Sequence, residues 1–272
     1  MKHDSVLILD FGSQYTQLIA RALRSLSIYC EIHPYNMSAD AIKAFDPQAL
    51  ILSGSPFSLY QSDSPRPDEI IWELGLPILG VCYGMQLICE RFGGQIKRST
   101  KKEYGYAQLE ILDDHDLLDG IADGNQVWMS HGDSISELPS VFRLLASTAN
   151  TPFTAIAHRE LPVFALQFHP EVHHSQNGMR VLENFALKIA GLKADWTSGS
   201  FIEEAVAKIR ARVGTDRVIL GLSGGVDSSV AAALLYRAIG DRLIPIFVDN
   251  GCMRYQEAAR VKEFFSCMPD LK

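Results

Sequence analysis

The sequence predicts an α/β fold: an open, mostly parallel sheet with an antiparallel extension, followed by the beginning of a second α/β domain. Three observations carry this prediction. Apolar runs of strand length alternate with segments of helical period over the first 92 residues, the pattern of a parallel sheet covered by helices on both faces. Between Tyr104 and Phe168 the pattern changes to short β-type runs. After a glycine- and serine-bearing stretch at 191–200, a helix, a strand, a glycine-rich loop and another helix follow in order.

Val6 to Leu9, Tyr29 to His33, Ala49 to Leu52 and Ile78 to Val81 read as the parallel strands. Gln14 to Ser25, Ala39 to Ala44 and Met85 to Phe92 read as the helices between and after them. The charged run from Arg98 to Glu103, with Lys101 and Lys102, reads as a solvated loop. Ala107 to Leu112, Gln126 to Met129 and Thr154 to His158 read as the antiparallel extension, and Val163 to Phe168 as a core strand. Met179 to Ala190 reads as a closing helix. The domains expected are 1–190, a linker at 191–200 with Trp196 as an aromatic anchor, and 201–272. In the last of these, Phe201 to Arg212 reads as a helix and Val218 to Leu222 and Leu243 to Val248 as strands.

The bulk numbers describe a globular chain. It has 272 residues, 47% hydrophobic and 21% charged, enough for two cores. A net charge of −7 gives no basic footprint for nucleic acid. No apolar run approaches the roughly 20 residues of a membrane span, and no secretory signal precedes the first strand. The five cysteines form no C-x-x-C pair, so a reducing, cytoplasmic setting is expected. Cys30 and Cys89 read as core residues, whereas Cys252 lies beside a glycine in a loop.

Two segments carry chemistry. In Gly80-Val81-Cys82-Tyr83-Gly84 an apolar strand passes into a helix, with Cys82 in the turn between two glycines. This is a nucleophile elbow with cysteine in the serine position. A helix N-terminus behind the sulfur favours a thiolate, and amide N–H groups of the turn suit a tetrahedral oxyanion. Downstream, the core strand ends in His169-Pro170-Glu171. Pro170 stops the ladder, and residues two apart on extended backbone point the same way, so Glu171 can orient the imidazole of His169. Singly, a Cys between glycines also fits a core residue and a His-Pro pair also fits a turn; together they specify a thiol, its base and an orienting carboxylate. In the second domain, Ser223-Gly224-Gly225-Val226-Asp227-Ser228-Ser229 opens a helix. Hydroxyls, two glycines and a helix N-terminus make an anion nest, without the lysine or spacing of a Walker A loop. Asp227 fits either a helix cap or a ligand of Mg²⁺.

The elbow and the His-x-Glu element resemble the glutamine amidotransferases of the Cys-His-Glu triad class. The opening Asp10-Phe11-Gly12-Ser13-Gln14-Tyr15 is likewise typical of them. The resemblance implies Cys82, His169 and Glu171 as the catalytic set, with Ser55 and Tyr83 supplying the oxyanion hole. It also implies Gln86 and the loop Ser130-His131-Gly132-Asp133 as contacts to substrate glutamine. One departure is Ser55, where the family has the second glycine of Gly-Gly-Pro; a serine adopts positive φ less freely, so a strained or incomplete hole is expected there.

The second motif is similar to the pyrophosphate loop of ATP pyrophosphatases, which implies ATP held by residues 223–229 and Val248, with Mg²⁺ at Asp227. Cys252-Met253-Arg254 departs from that family's Leu-Leu-Arg but keeps Arg254. The two motifs in this order resemble glutamine-dependent ligases that aminate xanthosine monophosphate to GMP. That family implies glutamine, ATP and xanthosine monophosphate as substrates and a homodimer formed through a further C-terminal domain. The chain is accordingly expected to be partial, with weak glutaminase activity alone. The alternative is a glutamine-binding regulatory module or shortened paralogue without turnover.

Overall fold

The computed structural model describes residues 3–61, 63–249, 251 and 255–266. Asn250, Cys252, Met253, Arg254 and Cys267 lie outside the described residues, as do the side chains of Lys101 and Lys102. The chain forms two compact units, dividing between Trp196 and Thr197.

In the first unit the strands are β1 (Ser5–Asp10), β2 (Tyr29–Pro34), β3 (Ala49–Leu52), β4 (Ile78–Val81), β5 (Gln95–Gln108), β6 (Glu110–Ile111), β7 (Gln126–Glu137), β8 (Phe142–Ser147), β9 (Ala155–His158) and β10 (Val163–Leu166). The helices are α1 (Thr16–Ser25), α2 (Ala39–Phe45), α3 (Tyr83–Arg91) and α4 (Gly178–Glu183), the last running on into a π-helical stretch, Asn184–Ile189. Eight strands form one sheet in the order β2-β1-β3-β4-β10-β9-β8-β6. The first five are parallel, and β9, β8 and β6 continue antiparallel.

The near-continuous apolar strands are explained by burial on both faces. Val6 and Ile8 of β1 join a core with Ile19 and Leu23 of α1 and Leu182 of α4. Leu7 and Leu9, pointing oppositely, join a second core with Ile42 of α2 and Met85 and Ile88 of α3. Cys30 and Cys89 are buried, as their apolar contexts predict.

Two readings of the sequence change. The segment from Arg98 to Glu103 is part of a strand, not a loop: β5 pairs with β7 from Gln95 to Gln108, with an irregularity between Arg98 and Glu103. Lysines and a Gly-poor polar run hide a strand whose partner is about 30 residues away, since β-pairing rests on cross-strand neighbours rather than local propensity. Gln126 to Met129 belongs to that separate two-stranded ribbon, so the antiparallel extension of the main sheet is made by β9, β8 and β6.

The second unit contains α5 (Ser198–Val213), β11 (Val218–Leu222), α6 (Val226–Ile239), β12 (Leu243–Phe247) and α7 (Glu257–Phe265). The helix α5 begins three residues before Phe201 because Thr197 and Ser200 form a reciprocal capping box. The strands β11 and β12 pair in parallel, and Val206, Ala232, Ala238, Ile239 and Leu243 form the buried core. Among the described residues no helix is long and apolar enough to cross a membrane.

Candidate functional site

Strand β4 delivers the thiol. Its four residues are buried, and the chain then turns at Cys82, which has φ 54° and ψ −101° before α3 starts at Tyr83. A non-glycine residue with such a φ is strained, and strain of this kind concentrates at functional sites. The flanking glycines are needed for close approach. A Cβ on Gly84 would lie 2.3 Å from the Leu52 carbonyl oxygen, and one on Gly80 would lie 2.5 Å from the Gly84 oxygen. Thus α3 rests directly on the backbones of β3 and β4.

The strand β10 delivers the imidazole. It runs parallel to β4 with Leu166 opposite Val81, and the Cys82 N–H donates to the Leu166 carbonyl at 2.7 Å. The chain therefore leaves both strands at the same, carboxyl end of the sheet, where open α/β proteins place their ligands. The His169 backbone is clamped: its N–H donates to the Trp128 carbonyl at 3.0 Å, and the Ser175 hydroxyl donates to its carbonyl at 2.6 Å. Its Nδ1 lies 2.7 Å from Glu171 Oε1, and both side chains are buried. The two meet through a turn at 170–171 and not along extended backbone, because Pro170 ends the strand geometry early. Burial by itself would push the imidazole toward neutrality. The Glu171 carboxylate and hydrogen bonds to the Cys82 thiol and to Glu171 override it, holding His169 well above its ordinary pKa. By contrast, burial pushes the Cys30 thiol up to about 11 and the Cys89 thiol up to about 12.

A cavity of about 1000 Å³ opens over the thiol and is lined by Cys82, His169, Ser55, Tyr83, Gln86 and the whole segment Ser130-His131-Gly132-Asp133. The thiol faces the Ser130 carbonyl at 3.5 Å, and Gln86 Nε2 donates to the Asp133 carbonyl at 3.1 Å. As the first residue of α3, Tyr83 has no intrahelical acceptor for its N–H. Ser55 is absent from the residues with positive φ, so the strain expected at this position is not there. Its hydroxyl instead ties the loop, donating to the Phe11 carbonyl at 2.8 Å and accepting from the Phe57 N–H at 3.1 Å.

The cavity also takes residues for which no role was expected from the sequence. Tyr15 packs edge-on against the His169 ring with centroids 4.9 Å apart. Ser58 hydrogen-bonds the Asp133 carboxylate, and Arg98 and Tyr104 line the wall from β5. The last two were legible only with the β5–β7 pairing in hand.

In the second unit, the loop at 223–229 joins β11 to α6. Ser223 and Ser228 hydroxyls lie 3.1 Å apart, the Gly225 N–H donates to Ser223 Oγ at 3.2 Å, and Gly224 has φ +78°. Gly225 caps α6 without any side-chain hydrogen bond, so Asp227 is not the cap; it lies in the first turn, where the helix dipole favours a carboxylate. A concavity of about 360 Å³ is lined by Gly224, Gly225, Val226 and Ser229 of the loop, with Val230 and Ala233. Val248 follows Phe247, the partner of Leu222, at the same sheet end but outside this lining. No group of three potential metal ligands occurs among the described residues.

Residues 7–189 match the family Glutamine amidotransferase class-I, well over half of the chain. The chain belongs to that family. Residues 197–264 match NAD synthase. Among curated proteins, the amidotransferase chain is 54% identical to the GMP synthase [glutamine-hydrolyzing] of a Nitratiruptor species, over 98% of this chain and 53% of that one. It is 51% identical to the enzyme of the same name from Brachyspira hyodysenteriae, over 96% of this chain and 51% of the relative. The chain thus spans about half the length of the curated relatives it matches. Among solved structures, a Thermoplasma acidophilum protein provisionally described as a GMP synthase subunit superposes with a TM-score of 0.64 at 28% identity, covering 75% of this chain and 99% of that one.

Proposed function

We propose that the first unit hydrolyses glutamine, and that in the whole protein the ammonia serves an ATP-dependent amination of xanthosine monophosphate to GMP. The observation that carries the reading is the strained Cys82 facing one cavity together with a buried His169 that the Glu171 carboxylate holds. A module that only bound glutamine would need neither the strain nor the ion pair.

On this reading Cys82 Sγ attacks the side-chain amide carbon of glutamine, and the developing oxyanion is received by the N–H groups of Tyr83 and Ser55. His169 transfers its proton to the leaving nitrogen, the C–N bond breaks and ammonia departs. Water then attacks the thioester, with His169 taking its proton, and glutamate leaves as the thiol is restored. Glu171 keeps the ring oriented through Nδ1. Gln86 and the segment 130–133 hold the amino-acid end of the substrate.

The loop at 223–229 fits a polyphosphate: the leading N–H groups of α6 have no intrahelical acceptors, and no side chain caps them. ATP, when bound, supplies the adenylyl group that activates the acceptor oxygen. Asp227 belongs to no group of three potential ligands among the described residues, so Mg²⁺ would be held largely by phosphate oxygens and water. The reading also assigns the whole protein to the cytoplasm as a homodimer.

The test is steady-state ammonia release from glutamine with labelling by an electrophilic glutamine analogue. The wild-type chain should release ammonia and take up one label, at Cys82, while Cys30 and Cys89 stay unlabelled. Cys82→Ala and Cys82→Ser should do neither. Ammonia release by Cys82→Ala at the wild-type rate would refute the assignment.

A further inference from the structure

Strand β5 resumes its pairing with β7 at Glu103, directly after the irregularity that follows Arg98, and Glu103 stands opposite His131. Bulged strands next to sites commonly re-aim a side chain. Glu103 is aimed at the imidazole: its Oε2 lies 3.4 Å from His131 Nε2, with both side chains largely buried. The carboxylate is fixed further, since Thr151 Oγ1 donates to the same Oε2 at 2.5 Å and Asn150 Nδ2 to Oε1 at 3.5 Å.

The other nitrogen of the ring decides what this contact can be. His131 Nδ1 lies 3.0 Å from the Asp133 carbonyl, which can only accept, so Nδ1 carries a proton. In the neutral ring Nε2 then turns a lone pair toward a carboxylate oxygen, and Nε2 has no hydrogen-bond partner among the described residues. One further proton converts that contact into a charge-assisted hydrogen bond. Burial lowers the His131 pKa, Glu103 raises it and His169 lowers it, with a net lowering. Asp133 presents its carbonyl to the ring, its own carboxylate being engaged by Ser58.

The ring's state reaches the substrate cavity through two carbonyls. Asp133 O receives both His131 Nδ1 and Gln86 Nε2, and Ser130 O faces the Cys82 thiol. We propose that Glu103 is a positioning residue for glutamine, acting through the protonation state of His131 on the segment 130–133. This rests on the glutaminase reading above and adds to it a residue and a pH response. Below the pKa of His131 the Glu103–His131 bond is made and the segment is held; above it, two lone pairs face each other and the segment relaxes. The KM for glutamine therefore rises with pH through the His131 titration, while kcat follows His169.

The test uses the whole chain with Glu103→Gln and Glu103→Ala. In Glu103→Gln the amide nitrogen, at the Oε2 position, donates one N–H to Nε2 and the other to Thr151 Oγ1, whose hydroxyl accepts instead of donating, so the neutral ring is held at every pH. The KM should lose its rise through the His131 titration, and that imidazole titration, followed by NMR, should move to lower pH. Glu103→Ala should raise KM by roughly tenfold or more below the His131 pKa, the usual worth of a hydrogen bond to a charged group. Glu103→Gln should recover most of that loss. A KM–pH profile in Glu103→Gln superimposable on wild type, or an unmoved His131 titration, would overturn the proposal. The NMR titration needs no substrate, so a chain that fails to hydrolyse glutamine refutes the glutaminase reading, whereas an unmoved titration refutes the Glu103–His131 pair.

Discussion

Replacing Gly84 by alanine tests whether the elbow is held by backbone contact. The added Cβ would lie 2.3 Å from the Leu52 carbonyl oxygen and 2.8 Å from Leu52 Cβ, where ordinary contact begins at 3.4 Å. Leu52 belongs to a central, fully buried strand and cannot yield, so the N-terminus of α3 must retreat by about 1.1 Å. Overpacking of this kind costs about 1–3 kcal/mol. In a unit of this size that lowers Tm by roughly 2–12 °C. The retreat carries the Tyr83 N–H and Cys82 away from His169, and a misplacement of about 1 Å costs on the order of 10²-fold in rate. Gly93→Ala is the control: its φ is +87° but no atom lies within 4 Å of its Cβ position. It should lose about 1–2 kcal/mol to backbone strain with glutaminase unchanged. Calorimetry and ammonia release on both variants give the answer. A Gly84→Ala chain with wild-type Tm and rate would refute the argument, and so would one too unstable to fold.

Glu171→Gln should slow hydrolysis less than His169→Ala, whose loss of acid–base transfer costs about 10²–10⁴-fold, as read by steady-state ammonia release. His169 is raised in the folded state, so its stabilisation is complete below the unfolded value near 6.5 and is lost as pH rises through the folded value. Glu171→Gln should flatten that alkaline decline in a denaturation series against pH. Ser55→Gly removes the hydroxyl that bridges Phe11 and Phe57 without relieving any positive φ, so hydrolysis should fall by a few-fold. A rise in rate would restore the idea of a strained loop at this position.

The proposed nucleophile and its proposed base were legible as a pair because each lies in a segment with its own local chemistry. A cysteine between glycines at a strand-to-helix turn also fits a core residue and a His-Pro pair also fits a turn; it is the two together, with a carboxylate two residues after the histidine, that point to a thiol and its base. The parallel strands were legible for a similar reason, since burial on both faces leaves unbroken apolar runs such as Ala49-Leu50-Ile51-Leu52. What stayed hidden depends on distant partners. β5 carries Arg98, Lys101 and Lys102 and becomes a strand only through β7. With β5 misread, Arg98 and Tyr104 could not be placed on the cavity wall, nor Glu103 against His131. The conformation of Ser55 was misjudged because a glycine in relatives suggested positive φ, whereas two hydrogen bonds hold the serine in an unstrained state.

The position of β10 in the main sheet has a consequence for how the protein is made. It lies between β4 and β9 and is the only link between the parallel and antiparallel halves of that sheet among the described residues. During synthesis β4 and its thiol emerge 89 residues before Glu171 completes the site, the difference between positions 82 and 171. At about 5–20 residues per second that interval lasts roughly 5–20 s. Throughout it β4 is an open edge flanked by β3 alone, a template for pairing with another nascent chain. The same delay means that the cysteine acquires its partner histidine only when the sheet closes around β10. A ribosome-bound chain that has not yet reached residue 171 therefore carries the thiol without the imidazole and carboxylate that the proposed reaction needs.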